Sequence, residues 1–212
     1  MKYLDLKNWK RIKHFNFFKK FKHPHFNICT DIDISNTYSY TRKNKISIFT
    51  AVLFAVMKTC NHFEEFRYRI NGERIIIHDI VHPGITLLVE DDIYGNCIIE
   101  FKDSFKDFLI EYESAVYRAR NKIVVGEKQR KRDNLIFIST LPWISFTSVT
   151  NPMTGDPDDS IPRIIWGKNF KHGGKIMMPI SVQVNHCLMD GIHVGKFLFK
   201  LTDLLKEPEK LF

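Results

Sequence analysis

One stretch near the C-terminal end combines residue types and spacing that can move a proton. Gln183-Val184-Asn185-His186-Cys187-Leu188-Met189-Asp190-Gly191 sets a histidine at the end of an apolar run, with an aspartate four residues on beside a glycine. A neutral imidazole accepts a proton near neutral pH, so His186 has the chemistry of a general base. At that spacing the carboxylate cannot share a strand face contact with the histidine, but a turn brings Asp190 close enough to fix the local geometry. The same residues also fit a plain helix start, with Asp190 as N-cap and an incidental histidine. Residue types alone leave both readings open.

The elements that must hold this stretch follow from periodicity. Lys175 to Asn185 is mostly apolar (Ile176, Met177, Met178, Ile180, Val182, Val184) and reads as a central strand. Asp190-Gly191 marks a turn, and Ile192 to Leu205 reads as the final helix. Upstream, Leu6 to Lys20 reads as a helix after the candidate cap Asp5, and Phe26 to Ile34 alternates as a strand. Ser47 opens a helix to about Phe63. Arg67 to Ile70 and Arg74 to His78 flank Asn71-Gly72 and read as a hairpin with a type I′ turn. Pro83 to Val89, Tyr94 to Phe101, Leu135 to Ser139, Ser145 to Thr150 and Ile164 to Lys168 read as strands, and Phe105 to Asn121 as an amphipathic helix. Asn151 to Ile161 is the clearest loop. This mixture predicts an α/β chain: a mixed, largely antiparallel sheet covered by helices on one face, in a single domain over residues 1–212.

Bulk properties narrow the function classes. The chain has 212 residues, 44 % hydrophobic and 26 % charged, with a formal net charge of +8. Eighteen phenylalanines give it enough apolar surface to offset its ordering entropy, which excludes a disordered chain. No apolar run approaches the roughly 20 residues that span a bilayer, and the start lacks a secretory core, so the reading is cytoplasmic with no membrane partner. Cys29, Cys60, Cys97 and Cys187 are far apart, with no C-x-x-C pair; no zinc site or disulfide scaffold is expected, and buried free thiols are. The basic excess suits nucleic acid, a membrane surface or a phosphorylated cofactor alike. Its densest run, Lys128-Gln129-Arg130-Lys131-Arg132, has no nucleic-acid motif beside it and reads as a solvated loop.

Five blocks in order then carry a resemblance over nearly the whole chain. Asn8-Trp9-Lys10-Arg11-Ile12-Lys13-His14-Phe15 looks like N-W-x-R-x-x-H-F. Glu65-Phe66-Arg67, Asn71-Gly72-Glu73 and Val81-His82-Pro83 look like E-F-R, D-G-E and V-H-P. Leu141-Pro142-Trp143-Ile144-Ser145-Phe146-Thr147-Ser148 looks like P-W-x-S-F-T-S. Met178-Pro179-Ile180-Ser181-Val182-Gln183-Val184-Asn185-His186 leads into H-x-x-x-D-G. With these blocks the chain resembles the chloramphenicol acetyltransferase family and, more distantly, the coenzyme A-dependent acyltransferases that share the last motif.

The resemblance implies a two-layer α/β subunit in a homotrimer, with active sites between subunits. It implies acetyl-CoA as co-substrate, no metal, and a small hydroxylated acceptor, chloramphenicol being the leading candidate. His186 would be the general base, its other ring nitrogen held by its own backbone carbonyl. Asp190 and Arg11 would form a salt bridge that holds the histidine loop. Ser148 would donate a hydrogen bond to the tetrahedral oxyanion. Lys168 matches a lysine near the cofactor channel. Phe18 and Phe26 match aromatic positions of the acceptor pocket.

The chain also departs from that pattern. Asn185 stands where the family has the first of two adjacent histidines, and Ile165 replaces a hydroxyl residue. Ser47 stands where a coenzyme A-binding lysine is usual, with Lys43 or Lys45 as substitutes. Tyr94-Gly95-Asn96 lacks an expected phenylalanine, and the Asn151 to Ser160 loop differs. Two alternatives follow: a related acyltransferase with another acceptor or donor, and a noncatalytic trimeric binding protein of the same fold.

Overall fold

In the computed structural model, which describes residues 1–90, 93–121, 132–156 and 158–212, the longest strand organises the sheet. This is β10 (Lys175–Asn185). It pairs antiparallel with β2 (His25–Asp33) on one side and with β8 (Arg163–Gly167) on the other, where the short β9 (Phe170–His172) also folds back onto its start. The order continues through β7 (Leu135–Leu141), β5 (His82–Glu90) and β6 (Ile93–Ile98). β7 runs parallel to both β5 and β8, and the other pairings are antiparallel. The expected mixed, largely antiparallel sheet is therefore found. A smaller sheet joins β1 (Lys2–Tyr3), β4 (Arg74–Ile77) and β3 (Tyr68–Asn71).

Met178, Ile180, Val182 and Val184 of β10 point into the helical layer and are buried. They meet α3 (Ile48–His62) and α5 (Gly191–Lys206), whose Val194, Phe197, Leu201 and Leu205 are fully covered. α3 is buried almost all round from Thr50 to Met57, so it is a core helix rather than a surface one. α4 (Phe105–Arg120) stacks Phe108 and Phe105 on Phe54 of α3. α1 (Ile12–Phe18) and the terminal α6 (Pro208–Leu211) close the layer.

The other face of β10 is polar. Ser181, Gln183 and Asn185 are buried there, and their hydrogen bonds go to the segment 142–162 and to β2. Ser181 donates to Asn27 Oδ1 at 2.7 Å, and Asn27 Nδ2 donates to the Val149 carbonyl at 2.8 Å. Asn151 Nδ2 donates to Gln183 Oε1 at 2.8 Å. This segment lies across the sheet instead of joining its edge, so the strand expected at Ser145 to Thr150 is absent. Gly167 lets it come close: a Cβ there would sit 2.9 Å from the Ile144 carbonyl oxygen and 2.9 Å from Pro179. Gly167→Ala is expected to cost about 1–3 kcal/mol by overpacking, read as a lower Tm; an unchanged Tm would show that the segment yields freely.

Several expectations shift for local reasons. α1 is shorter than Leu6 to Lys20, because the Asp5 carboxylate accepts from the Lys7 N–H and from Asn8 Nδ2 and bends the chain into turns. α2 (Ser35–Lys43) was not foreseen. Its sequence is polar throughout, and it docks through Thr37 and Thr41, Thr37 donating to the Leu205 carbonyl at 2.6 Å. In the hairpin Asn71 pairs with Arg74, so the turn is Gly72-Glu73 and not Asn71-Gly72. Gly72, at φ +58°, takes the first central position and Glu73 stays outside the left-handed region; a type I′ turn needs positive φ at both, so this is a type II′ turn. Arg69 is fully buried and donates to the backbone carbonyls of Asp133 and Phe66 at 2.6 and 3.0 Å, and to those of Tyr68 and Leu135. Burial pulls its pKa down to about 10, and it ties the small sheet to β7. Of the basic run, Lys128 to Lys131 lie outside the described residues; Arg132 is engaged with the Glu100 carboxylate.

Candidate active site

β10 delivers its last residue, Asn185, to the sheet edge, and the chain then turns sharply. The His186 N–H donates to the Pro24 carbonyl at 2.7 Å, and the Leu188 and Met189 N–H groups fold back onto the Asn185 carbonyl at 3.1 and 3.2 Å. Asp190 occupies the N-cap position of α5. The strand–turn–helix path thus converts the sequence spacing of four into a contact: His186 Nδ1 lies 3.1 Å from Asp190 Oδ1 and 3.0 Å from the Met189 carbonyl oxygen.

Both of those neighbours only accept hydrogen bonds, so Nδ1 must carry the ring proton. Nε2 then presents an unprotonated lone pair, and among the described residues it has no hydrogen-bond partner. The carbonyl that holds the ring belongs to Met189, not to His186 as the resemblance implied. The His186 carbonyl accepts instead from Arg11 Nη2 at 3.3 Å.

Arg11 binds Asp190 with its planar fork, Nη2 donating to Oδ1 at 3.0 Å and Nη1 to Oδ2. The Arg11 side chain is 14 % exposed and that of Asp190 31 %, so water screens the pair only partly. Burial lowers the Arg11 pKa, and the nearby Glu65 opposes that shift. On the other side of the imidazole, Phe18 stacks at 3.9 Å with an 11° tilt and Phe26 packs at 4.7 Å. α1 therefore supplies both the cation and an aromatic wall, and β2 the second wall.

The structure gathers His186, Asp190, Arg11, Phe18 and Phe26. Ser148 stands exposed on the segment 142–162 and makes no hydrogen bond to that group. Lys168 is exposed just after β8, its N–H donating to the Ile144 carbonyl at 2.8 Å. Lys45 is exposed in the α2–α3 link at φ +56°. Lys168 follows Trp166 by two residues and Lys45 precedes Phe49 by four, and those two rings meet at 5.7 Å. A groove of about 610 Å³ opens on the polar face of the sheet, lined by Phe49, Thr86, Tyr94, Ser139, Trp143 and Ile165 among others. His186 is not part of that lining.

Sequence reasoning missed the Met189 carbonyl and His193. His193 Nδ1 accepts the Asp190 N–H at 2.9 Å, and its Nε2 faces Glu65 at 3.8 Å. The only signal was an N3 residue able to reach back to a helix N-cap, and histidine is not the usual residue for it.

Burial holds the pKa of His193, His25 and His82 below the ordinary 6.5. Geometry agrees for two of them: His193 accepts a backbone N–H as above, and His82 Nδ1 accepts the Phe101 N–H at 2.9 Å. Such groups take up protons on unfolding below pH 6.5. Their stabilisation is complete above that value and is lost as pH falls toward the folded values, at up to about 1.4 kcal/mol per pH unit for each histidine. Tm is expected to fall between pH 7 and pH 5, less steeply in His82→Gln. A flat profile in the unmodified chain would contradict this.

Comparison with known proteins bears on the geometry now described. The sequence profile of the family described as chloramphenicol acetyltransferase matches residues 1–202. The chain belongs to that family. It is 29 % identical over 205 residues to a chloramphenicol acetyltransferase of Klebsiella sp, covering 96 % of this chain and 93 % of that one. It is 26 % identical over 207 residues to chloramphenicol acetyltransferase 3 of Escherichia coli, covering 97 % of each. A solved chloramphenicol acetyltransferase superposes with a TM-score of 0.86 at 26 % identity, over 97 % of this chain and 99 % of that chain. The dihydrolipoamide acetyltransferase of Azotobacter vinelandii shares the fold, with a TM-score of 0.73 at 18 % identity over 94 % and 88 % of the two chains.

The chain is thus an acyltransferase of the chloramphenicol acetyltransferase type, and acetyl-CoA is the family's co-substrate. Among the described residues no cluster of histidine, cysteine and carboxylate side chains is arranged to hold a metal, and no helix is long and apolar enough to cross a membrane. The four cysteines are free thiols, with Cys60, Cys97 and Cys187 buried.

Proposed function

We propose that this chain, taken as one domain over residues 1–212, transfers the acetyl group of acetyl-CoA to a hydroxyl of a small acceptor, with chloramphenicol the leading candidate. The observation that carries the reading is the contact of His186 Nδ1 with two acceptors, which in the neutral ring leaves the Nε2 lone pair open as a base. The acceptor hydroxyl gives its proton to Nε2 as its oxygen attacks the thioester carbonyl. A carbon–oxygen bond forms, the carbon–sulfur bond then breaks, and the proton passes to the departing thiolate. Asp190 and Arg11 keep the ring in place, and Ser148 donates to the oxyanion of the tetrahedral intermediate. A placed donor of that kind lowers such a barrier by about 3 kcal/mol. Phe18 and Phe26 wall the acceptor, and Lys168 with Lys45 attracts the phosphates of coenzyme A.

Within one chain Ser148 makes no hydrogen bond to His186, and Leu88, Tyr94, Phe137 and Trp143 are exposed on the face that carries the groove. A homotrimer brings the histidine of one subunit to the serine and groove of the next. The reaction is assigned to the cytoplasm, where acetyl-CoA is supplied. Ile165 lines the groove and offers no hydroxyl, which favours as second reading a related acceptor over chloramphenicol itself.

The test is thiol release from acetyl-CoA with a panel of hydroxylated acceptors. Release with chloramphenicol supports the first reading, and release only with other alcohols supports the second. No release with any acceptor would reject both.

A further inference from the structure

Asn185 is 1 % exposed, and both ends of its amide are committed. Oδ1 accepts the Cys187 N–H at 2.9 Å, and Nδ2 donates to the Asp159 carbonyl at 3.0 Å. A backbone N–H only donates and a carbonyl only accepts, so these partners fix which way the amide points. The first bond is local and shapes the turn that follows. The Asn185 carbonyl also receives the Leu188 and Met189 N–H groups, and the Met189 carbonyl is the one that holds His186 Nδ1. The second bond reaches the far end of the segment 142–162. There Asp159 is anchored to Arg163 of β8 by two hydrogen bonds, at 2.7 and 3.3 Å.

The same segment carries Ser148, and its Asn151 and Pro152 line the groove. One buried amide therefore touches both the histidine turn and the segment that walls the groove. We propose that Asn185 is a positioning residue that locks these two parts together: Oδ1 sets the turn behind His186, and Nδ2 sets the segment against the sheet. The inference rests on the reading of His186 as general base and of the groove as acceptor site.

Two substitutions separate the two ends of the amide. Asn185→Ser keeps a short acceptor for the Cys187 N–H but cannot reach Asp159. Asn185→Leu fills the space and offers neither bond. In the thiol-release assay Asn185→Ser is expected to raise the acceptor KM about tenfold, with kcat within about threefold and the KM for acetyl-CoA unchanged. Asn185→Leu is expected to lower kcat by about a further tenfold and to move the pH profile, because the Met189 carbonyl no longer holds Nδ1.

Hydrogen exchange provides a readout independent of catalysis. The amides of Asp158 and Asp159, which donate to Asp156, and of Ile70, which donates to Ser160, should exchange faster in both variants, while the central amides of β10 keep their protection. Equal losses of kcat in both variants that follow Tm, or unchanged exchange at Asp158, Asp159 and Ile70, would overturn the proposal. If the unmodified chain releases no thiol with any acceptor, the proposed function fails, and the exchange comparison alone decides the role of Asn185.

Discussion

His186→Ala is expected to slow thiol release by about 10²- to 10⁴-fold, the range that a positioned general base contributes. The loss should fall on kcat, with the KM for acetyl-CoA little changed, because the imidazole takes a proton in the transition state and is not needed to hold the cofactor. The fold should survive. The His186 side chain is about a third exposed (32 %), and its backbone ties, the N–H to Pro24 and the carbonyl to Arg11, are kept in alanine. A Tm close to that of the unmodified chain therefore accompanies the loss. Activity retained within tenfold would remove His186 from the role of base and move attention to the exposed groove residues.

Asp190→Ala should produce the second large effect, on stability and activity together. It strips the counter-ion from an Arg11 side chain that is only 14 % exposed and whose Nε is already buried without a partner. Breaking a buried pair from one side costs about 3–5 kcal/mol. The partial exposure of Asp190 places this case nearer about 2–3 kcal/mol, a fall in Tm of about 4–12 °C for a chain of this size. The His186 ring also loses one of the two acceptors that fix its tautomer, so kcat should drop as well. The double variant Arg11→Met with Asp190→Leu distinguishes the two effects. Replacing both charges with apolar groups should recover much of the Tm and none of the activity. Recovery of both would mean that the pair does no more than stabilise the fold.

Much of this fold is legible in the sequence wherever burial imposes a period. The apolar run of β10, the alternation of β2 and the amphipathic α4 lie within a residue or two of their expected bounds, because each is selected by one hydrophobic core. Elements held by polar contacts were not legible. α2 has no apolar stripe and docks through the Thr37 hydroxyl and the Asn36 amide, and the segment 142–162 reads as a strand near Ser145 but is pulled flat across the sheet by Asn27, Gln183 and Asn185. Such hydrogen bonds join residues far apart in the chain, and no local period encodes them.

At the site the division is similar. The sequence alone determined which residue types were present, the order of the five blocks, and hence the family and its chemistry. Only the tertiary structure decided how the parts meet. It gave the Met189 carbonyl, rather than that of His186, to the imidazole, turned Asp190 toward both Arg11 and His186, and set Phe18 flat against the ring. The reason is physical: a tautomer is chosen by whatever lies within about 3 Å of a ring nitrogen, here two acceptors of the β10–α5 turn, and the turn is held by Arg11 and walled by rings of α1 and β2 that only folding brings to it.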